Sequence, residues 1–141
     1  MSATTATAIK AFIEAAGLGV TVYRDQAPTG ATFPYVVVSE AITVNAETAF
    51  NPRDDPEHHV TEQVQVSLWQ QRRNPATLAI TESYTLPDAI CALFMGGRLT
   101  TLPTYGGHVR VLGRTRLFED EDSILHDPIT VEVRRTLARR P

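Results

Sequence analysis

Cysteine is nearly missing: Cys91 stands alone among 141 residues. A single thiol excludes an intrachain disulfide and any multi-cysteine zinc centre. Its apolar neighbours in AICALF predict a buried, inert side chain. Long apolar runs are missing too. No stretch reaches the roughly 18 residues of a membrane-spanning helix. The segment MSATTATAIKAF has neither the basic start nor the apolar core of a secretory leader. The expectation is a protein made and kept in a reducing cytosol. Lysine occurs once, at Lys10, among 13 basic residues; host codon usage can produce such a bias, so it implies no chemistry by itself. Positive charge is not in excess. With 16 acidic residues the net charge is −3, which argues against a general nucleic-acid binder held by phosphate contacts.

Signatures of catalysis are also missing. Gly96-Gly97 and Gly106-Gly107 lack the context of a phosphate-binding loop. Ser39, Ser67, Ser83 and Ser123 are scattered, and no GxSxG elbow presents any of them to a base. His58-His59 lie close to Asp54, Asp55 and Glu57, the raw material of a small metal-dependent enzyme. Adjacent residues of an extended chain point to opposite sides, however, and no HxH or HxxxH spacing is present. A solvated loop is expected there, with no metal and no cofactor. The run Glu119-Asp120-Glu121-Asp122 lacks the DxDxDG spacing that wraps a calcium ion and reads as a solvated hairpin tip.

What is present is ordinary globular material. Hydrophobic residues make up 43% and charged residues 21%, values of a folded chain rather than a disordered one. The length fits one domain, residues 1–141, able to bury a core of its own. From Thr4 to Ala16, Ile9, Phe12, Ile13 and Ala16 fall on one helical face, and Gly17 and Gly19 close it. A strand is expected over Val20–Tyr23, then a turn at APTGATFP, then a strand over Tyr35–Val44. Residues 45–59 read as a long irregular loop, with two prolines and four acids. Val60–Trp69 alternates as a half-buried strand, with Trp69 on its polar side. A second helix starts at Asn74-Pro75 and runs toward Met95, kinked or restarted at Pro87 and ended by Gly96-Gly97.

The last third reads as a hairpin. Strands Gly107–Phe118 and Pro128–Ala138 flank the acidic tip 119–123. Facing their apolar sides gives partners whose numbers sum to about 246, which sets Arg114 opposite Glu132. Arg110, Arg114 and Arg116 then share one strand face with His108, and Arg134, Arg139 and Arg140 follow on the partner strand and tail. Such a stripe could touch nucleic acid, meet an acidic partner, or be neutralised within the chain. The element order predicts an α+β fold: a mostly antiparallel β-sheet with two helices packed on one face, in a single domain.

Residues 20–41, VTVYRDQAPTGATFPYVVVSEA, resemble the signature of the tail-terminator and tail-completion family of long-tailed bacteriophages. The likeness rests on Ala27-Pro28-Thr29-Gly30, then Phe33-Pro34-Tyr35-Val36-Val37, and on VQVSLW at 64–69. The long acidic loop and Pro87 are not features of that signature. The resemblance implies a structural virion protein without an active site, assembled in the host cytoplasm. It implies a homo-hexameric ring that caps the tail tube protein, ends tube polymerisation and meets the head-neck connector or stopper. A ring of this kind needs a head-to-tail interface that closes by rotation. Tyr35, Trp69, Arg53, Asp54, Asp55 and Glu57 are expected at subunit or partner contacts. Glu119, Asp120, Glu121 and Asp122, or the Arg110, Arg114 and Arg116 stripe, are expected to face the lumen through which genomic DNA passes. Acidic tips would form an anionic collar that repels its phosphates. The rival readings are another neck protein (head-completion or stopper), a small metal-dependent enzyme, and a nucleic-acid-binding module.

Overall fold

The computed structural model describes residues 5–49, 57–73, 85–95, 105–119 and 124–138. The order is α1 (Thr5–Ala15), β1 (Thr21–Arg24), β2 (Tyr35–Val38), β3 (Ile42–Ala49), β4 (Glu57–Gln71), α2 (Thr85–Leu93), β5 (Tyr105–Arg114), β6 (Leu117–Glu119) and β7 (Ile124–Ala138). The strands form a mixed, mostly antiparallel sheet in the order β1-β2-β4-β7-β5. β3 also pairs with β4, and β6 with β7. Among the described strands, only β1 and β2 run parallel. The α+β architecture expected from the element order is the one observed.

One face of the sheet is apolar because alternate strand residues are. Val36 and Val38, Val64, Val66 and Leu68, and Ile129, Val131 and Val133 are all buried in one cluster with Ile9 and Ile13 of α1 and Ile90 of α2. Both helices therefore lie on the same face. Phe12 and Phe94 bring them together, with ring centroids 5.6 Å apart. Burying each such aliphatic side chain contributes about 1.5–3 kcal/mol. α1 ends where Gly17 takes φ +65°, a conformation favoured by glycine, and its amide bonds back to the Glu14 carbonyl. In α2 the buried residues are Pro87 and Ile90, and Phe94, just past its end, is buried too, while Cys91 is half-buried rather than buried. Pro87 sits in the first helical turn, where its missing N–H leaves no intrahelical bond unmade. The expected start at Asn74-Pro75 and the end at Gly96-Gly97 lie outside the described residues.

The strand expected over Tyr35–Val44 is two strands. It breaks after Val38, where the Ser39 amide donates to the Gln65 carbonyl and the Gln65 amide donates to the Ser39 hydroxyl. Beyond the break, β3 resumes along the same side of β4. The irregular loop expected over 45–59 is largely ladder. Asn45–Ala49 pair with Glu57–Thr61, so β4 begins at Glu57 rather than Val60 and runs past Trp69 to Gln71. Polarity was the wrong guide there, because a ladder satisfies backbone groups whatever its side chains.

The hairpin register also differs. Val109 pairs with Val133 and Arg110 with Glu132, so partner numbers sum to 242, shifting to 243 nearer the tip. The turn decides this. Glu119 pairs with Ile124, centring the connection on the acidic run itself, and β7 starts at Ile124 rather than Pro128. Arg114 consequently faces Ile129, not Glu132. A bulge between Val111 and Gly113 adds one residue to β5, and every later side chain changes face. The arginine stripe is thereby split. The expected single strand 107–118 is likewise divided into β5 and β6 at Thr115-Arg116. Pro128 explains the position of that break. Its carbonyl accepts from the Thr115 amide; its ring nitrogen, on the same strand side, has no proton to donate there.

Candidate interaction surface

The second face of the sheet carries no helix among the described residues, and its side chains define the candidate site. Tyr35 pairs across β2–β4 with Trp69, and Trp69 pairs across β4–β7 with His126. The rings follow one another across four strands: Tyr23 to Tyr35 at 5.9 Å, Tyr35 to Trp69 at 6.2 Å, and Trp69 to His126 at 3.9 Å. Phe33 stacks on Tyr35 at 5.3 Å. The Phe33-Pro34 peptide is cis. Tyr35 is half-buried; burial, reinforced by Tyr23 and Glu119, raises its phenol above the usual tyrosine range. The His126 Nδ1 lies 3.4 Å from a Glu119 carboxylate oxygen. Its Nε2 is buried and has no hydrogen-bond partner among the described residues. Beside this row is an open depression of about 410 Å³. Ser39, Gln65, Ser67 and Asp25 give it a polar wall, and the Gln65 side-chain Nε2 donates to the Ser67 hydroxyl.

Farther along the same face the chemistry changes from aromatic to charged. Glu132 is buried, and its Oε1 accepts from the Nε of Arg110 at 2.8 Å and of Arg134 at 3.0 Å. His108 is the strand partner of Arg134. These residues and Val109 line a second depression of about 270 Å³.

The other two arginines of the expected stripe turn to the helical face. Arg114 bonds Asp88 of α2 at 2.6 Å, which holds its guanidinium pKa above the ordinary value. Arg116 grips buried Asp127 through Nε and Nη2, at 2.9 and 3.3 Å. The sheet margins are apolar in places. On β3, Ile42 and Val44 are exposed; at the opposite margin, so are Leu112 of β5 and Leu117 and Phe118 of β6. Arg72 lies 5.1 Å from the Phe118 ring centre, within cation–π range.

Among the residues expected to act, Tyr35 and Trp69 meet. Glu119 ends β6 beside His126, and Arg110 joins Arg134 and Glu132. Arg114 and Arg116 do not join Arg110. Glu57 lies in β4 opposite Ala138, away from the aromatic row. Arg53, Asp54, Asp55, Asp120, Glu121 and Asp122 lie outside the described residues, as do Arg139 and Arg140. No group of three or more metal-ligating side chains occurs among the described residues. His126, Tyr23 and Phe33 were missed from sequence. His126 joins Trp69 only through a register that pairs residues 57 positions apart.

The class thus defined is an α+β protein with two helices on one face of a seven-stranded mixed sheet and an aromatic and charged surface on the other. No family model matches the chain, and no curated protein matches it in sequence. Among solved structures, the fold is similar to that of a chain in the virion of a native gene transfer agent particle. The TM-score is 0.58 and the identity 13%, covering 92% of this chain and 84% of that one.

Proposed function

We propose that the chain is a structural virion protein. In this reading it is a tail terminator that closes with copies of itself into a hexameric ring. The ring caps the tail tube, ends its polymerisation and presents a surface to the head-neck connector. The observation that carries the reading is the fold held in common with a gene transfer agent virion chain across nearly the full length of both. The distribution of exposed apolar side chains supports it. Ile42 and Val44 stand at one margin of the sheet, and Leu112, Leu117 and Phe118 at the other. Two different patches on opposite sides of a subunit suit a head-to-tail contact, which closes into a ring when the rotation allows. The outer margins of β3 and β5, unpaired among the described residues, supply the backbone groups for such a contact.

The test is the assembly state of the purified protein, by mass measurement and electron microscopy, alone and with tail tubes. Six-membered rings on tube ends, with tube length fixed by their addition, are the expected result. A monomer that ignores tubes overturns the reading. Rings that bind a portal complex in preference to tubes reassign the protein to another position in the neck.

A further inference from the structure

We infer that Arg110 and Arg134 form an oxyanion-binding site on the helix-free face, and that the anion is a backbone phosphate of duplex DNA. The choice of DNA rests on the proposed ring; the site itself rests on geometry. Arg110 on β5 and Arg134 on β7 reach the same oxygen of Glu132, at 2.8 and 3.0 Å, and both do so through Nε. No other described residue hydrogen-bonds either guanidinium, so among the described residues the Nη groups of both are available to donate outward. The side chains are 59% and 64% exposed, whereas that of Glu132 is 9% exposed. One buried carboxylate thus fixes two forks above it. Guanidinium forks held in this way match the paired oxygens of a phosphate.

The local charge has the right sign. Two guanidiniums on one carboxylate leave one positive charge, within a chain whose total is −3. Its described strand partners bring no negative charge. On β4, Thr61 is the partner of Arg134 and Gln63 the partner of Glu132; both are neutral donors or acceptors on this face. His108, exposed and paired with Arg134, is not an acidic residue. The depression of about 270 Å³ admits one phosphate group with its ester oxygens. Arg114 and Arg116 contrast with this pair, since each is bound to its own carboxylate on the helical face. Contact through one or two phosphates per subunit is weak and independent of base sequence. Such a contact lets a duplex slide past without holding it.

The experiment is fluorescence anisotropy of a labelled 20-base-pair duplex against the full chain, between 25 and 200 mM KCl. Binding at 25 mM is expected, weakening with salt. The double variant Arg110→Gln/Arg134→Gln should lose at least tenfold in affinity at 25 mM and flatten the log–log salt slope by about 1–2, at roughly 0.9 per phosphate contact. Arg114→Gln, on the other face, should bind as the parent does. Inorganic phosphate should compete in the parent. Circular dichroism and the assembly state of the double variant verify that it folds; Arg134→Gln alone, expected to lose severalfold, serves if it does not. No binding of either duplex or acidic peptide at 25 mM, or equal losses in Arg114→Gln, overturns the site. Binding of an acidic peptide through Arg110 and Arg134, with no duplex binding, overturns the assignment to DNA. A monomer that binds DNA through this pair refutes the ring and keeps the site; a ring indifferent to DNA does the reverse.

Discussion

Trp69 and His126 are partners across β4 and β7, their ring centres 3.9 Å apart and their planes within 9°. Trp69 is the single tryptophan of the chain, so its fluorescence reports this face alone. Replacing His126 with alanine removes the stacked ring and opens the indole to water. A red-shifted emission is expected, with a loss of about 0.5–1.5 kcal/mol in unfolding free energy by urea titration. An unchanged spectrum would contradict the stack.

Asp127 is buried on the helical face, and Arg116 holds both its oxygens. Arg116→Met strips that carboxylate of its main counter-charge. The expected cost is about 3–5 kcal/mol, because a buried charge without its partner keeps its desolvation penalty. Adding Asp127→Asn should restore a large part of it, which a double-mutant cycle measures.

Arg114 and Asp88 form a shorter contact than Arg116 and Asp127, yet a less consequential one. Both side chains are substantially exposed, at 41% and 69%. Arg114→Gln is expected to cost no more than about 0.5 kcal/mol, in keeping with solvent-screened pairs. Denaturant midpoints of the two arginine variants should therefore differ widely.

Tyr35 gives a pH signature. Its folded-state pKa is raised above 10.0 by burial first, then by Tyr23 and Glu119. A phenol with a raised pKa stabilises the fold fully below pH 10, and that contribution is lost as pH climbs through the folded value. Melting temperatures measured from pH 9 to 11 should fall, and Tyr35→Phe should fall less steeply over the same range.

The apolar margins predict how assembly fails. Ile42 and Val44 are 66% and 50% exposed, so Ile42→Asp with Val44→Asp should leave the fold intact. Sedimentation should then show a folded monomer where the parent chain makes rings. If rings persist, the β3 margin is not the contact.

The alternation of Val64, Val66 and Leu68, and the spacing of Ile9 and Ile13, were readable because each buries one side of an element against a common core. Tyr35 and Trp69 were legible as aromatics at strand termini, but their contact with each other required the β2–β4 register. The bulge at Val111/Gly113 left no hydrophobic trace, and it moved Arg114 and Arg116 to the face opposite Arg110. The β3–β4 ladder was hidden because Asn45–Ala49 and Glu57–His59 carry little apolar pattern. Backbone pairing runs through that segment, and its sequence offers little apolar alternation from which to infer it.

β4 and β7 lie side by side along 15 consecutive residue pairs, from Glu57–Ala138 to Gln71–Ile124. At about 3.4 Å per residue, that seam is roughly 50 Å long. Its hydrogen bonds lie across the strands, so tension applied along the strands loads them in shear, many rungs at once. Tension across the strands would open them one after another. The molecule is therefore a tie-rod in one direction and a zipper in the other, and its mechanical strength depends on which way it is pulled.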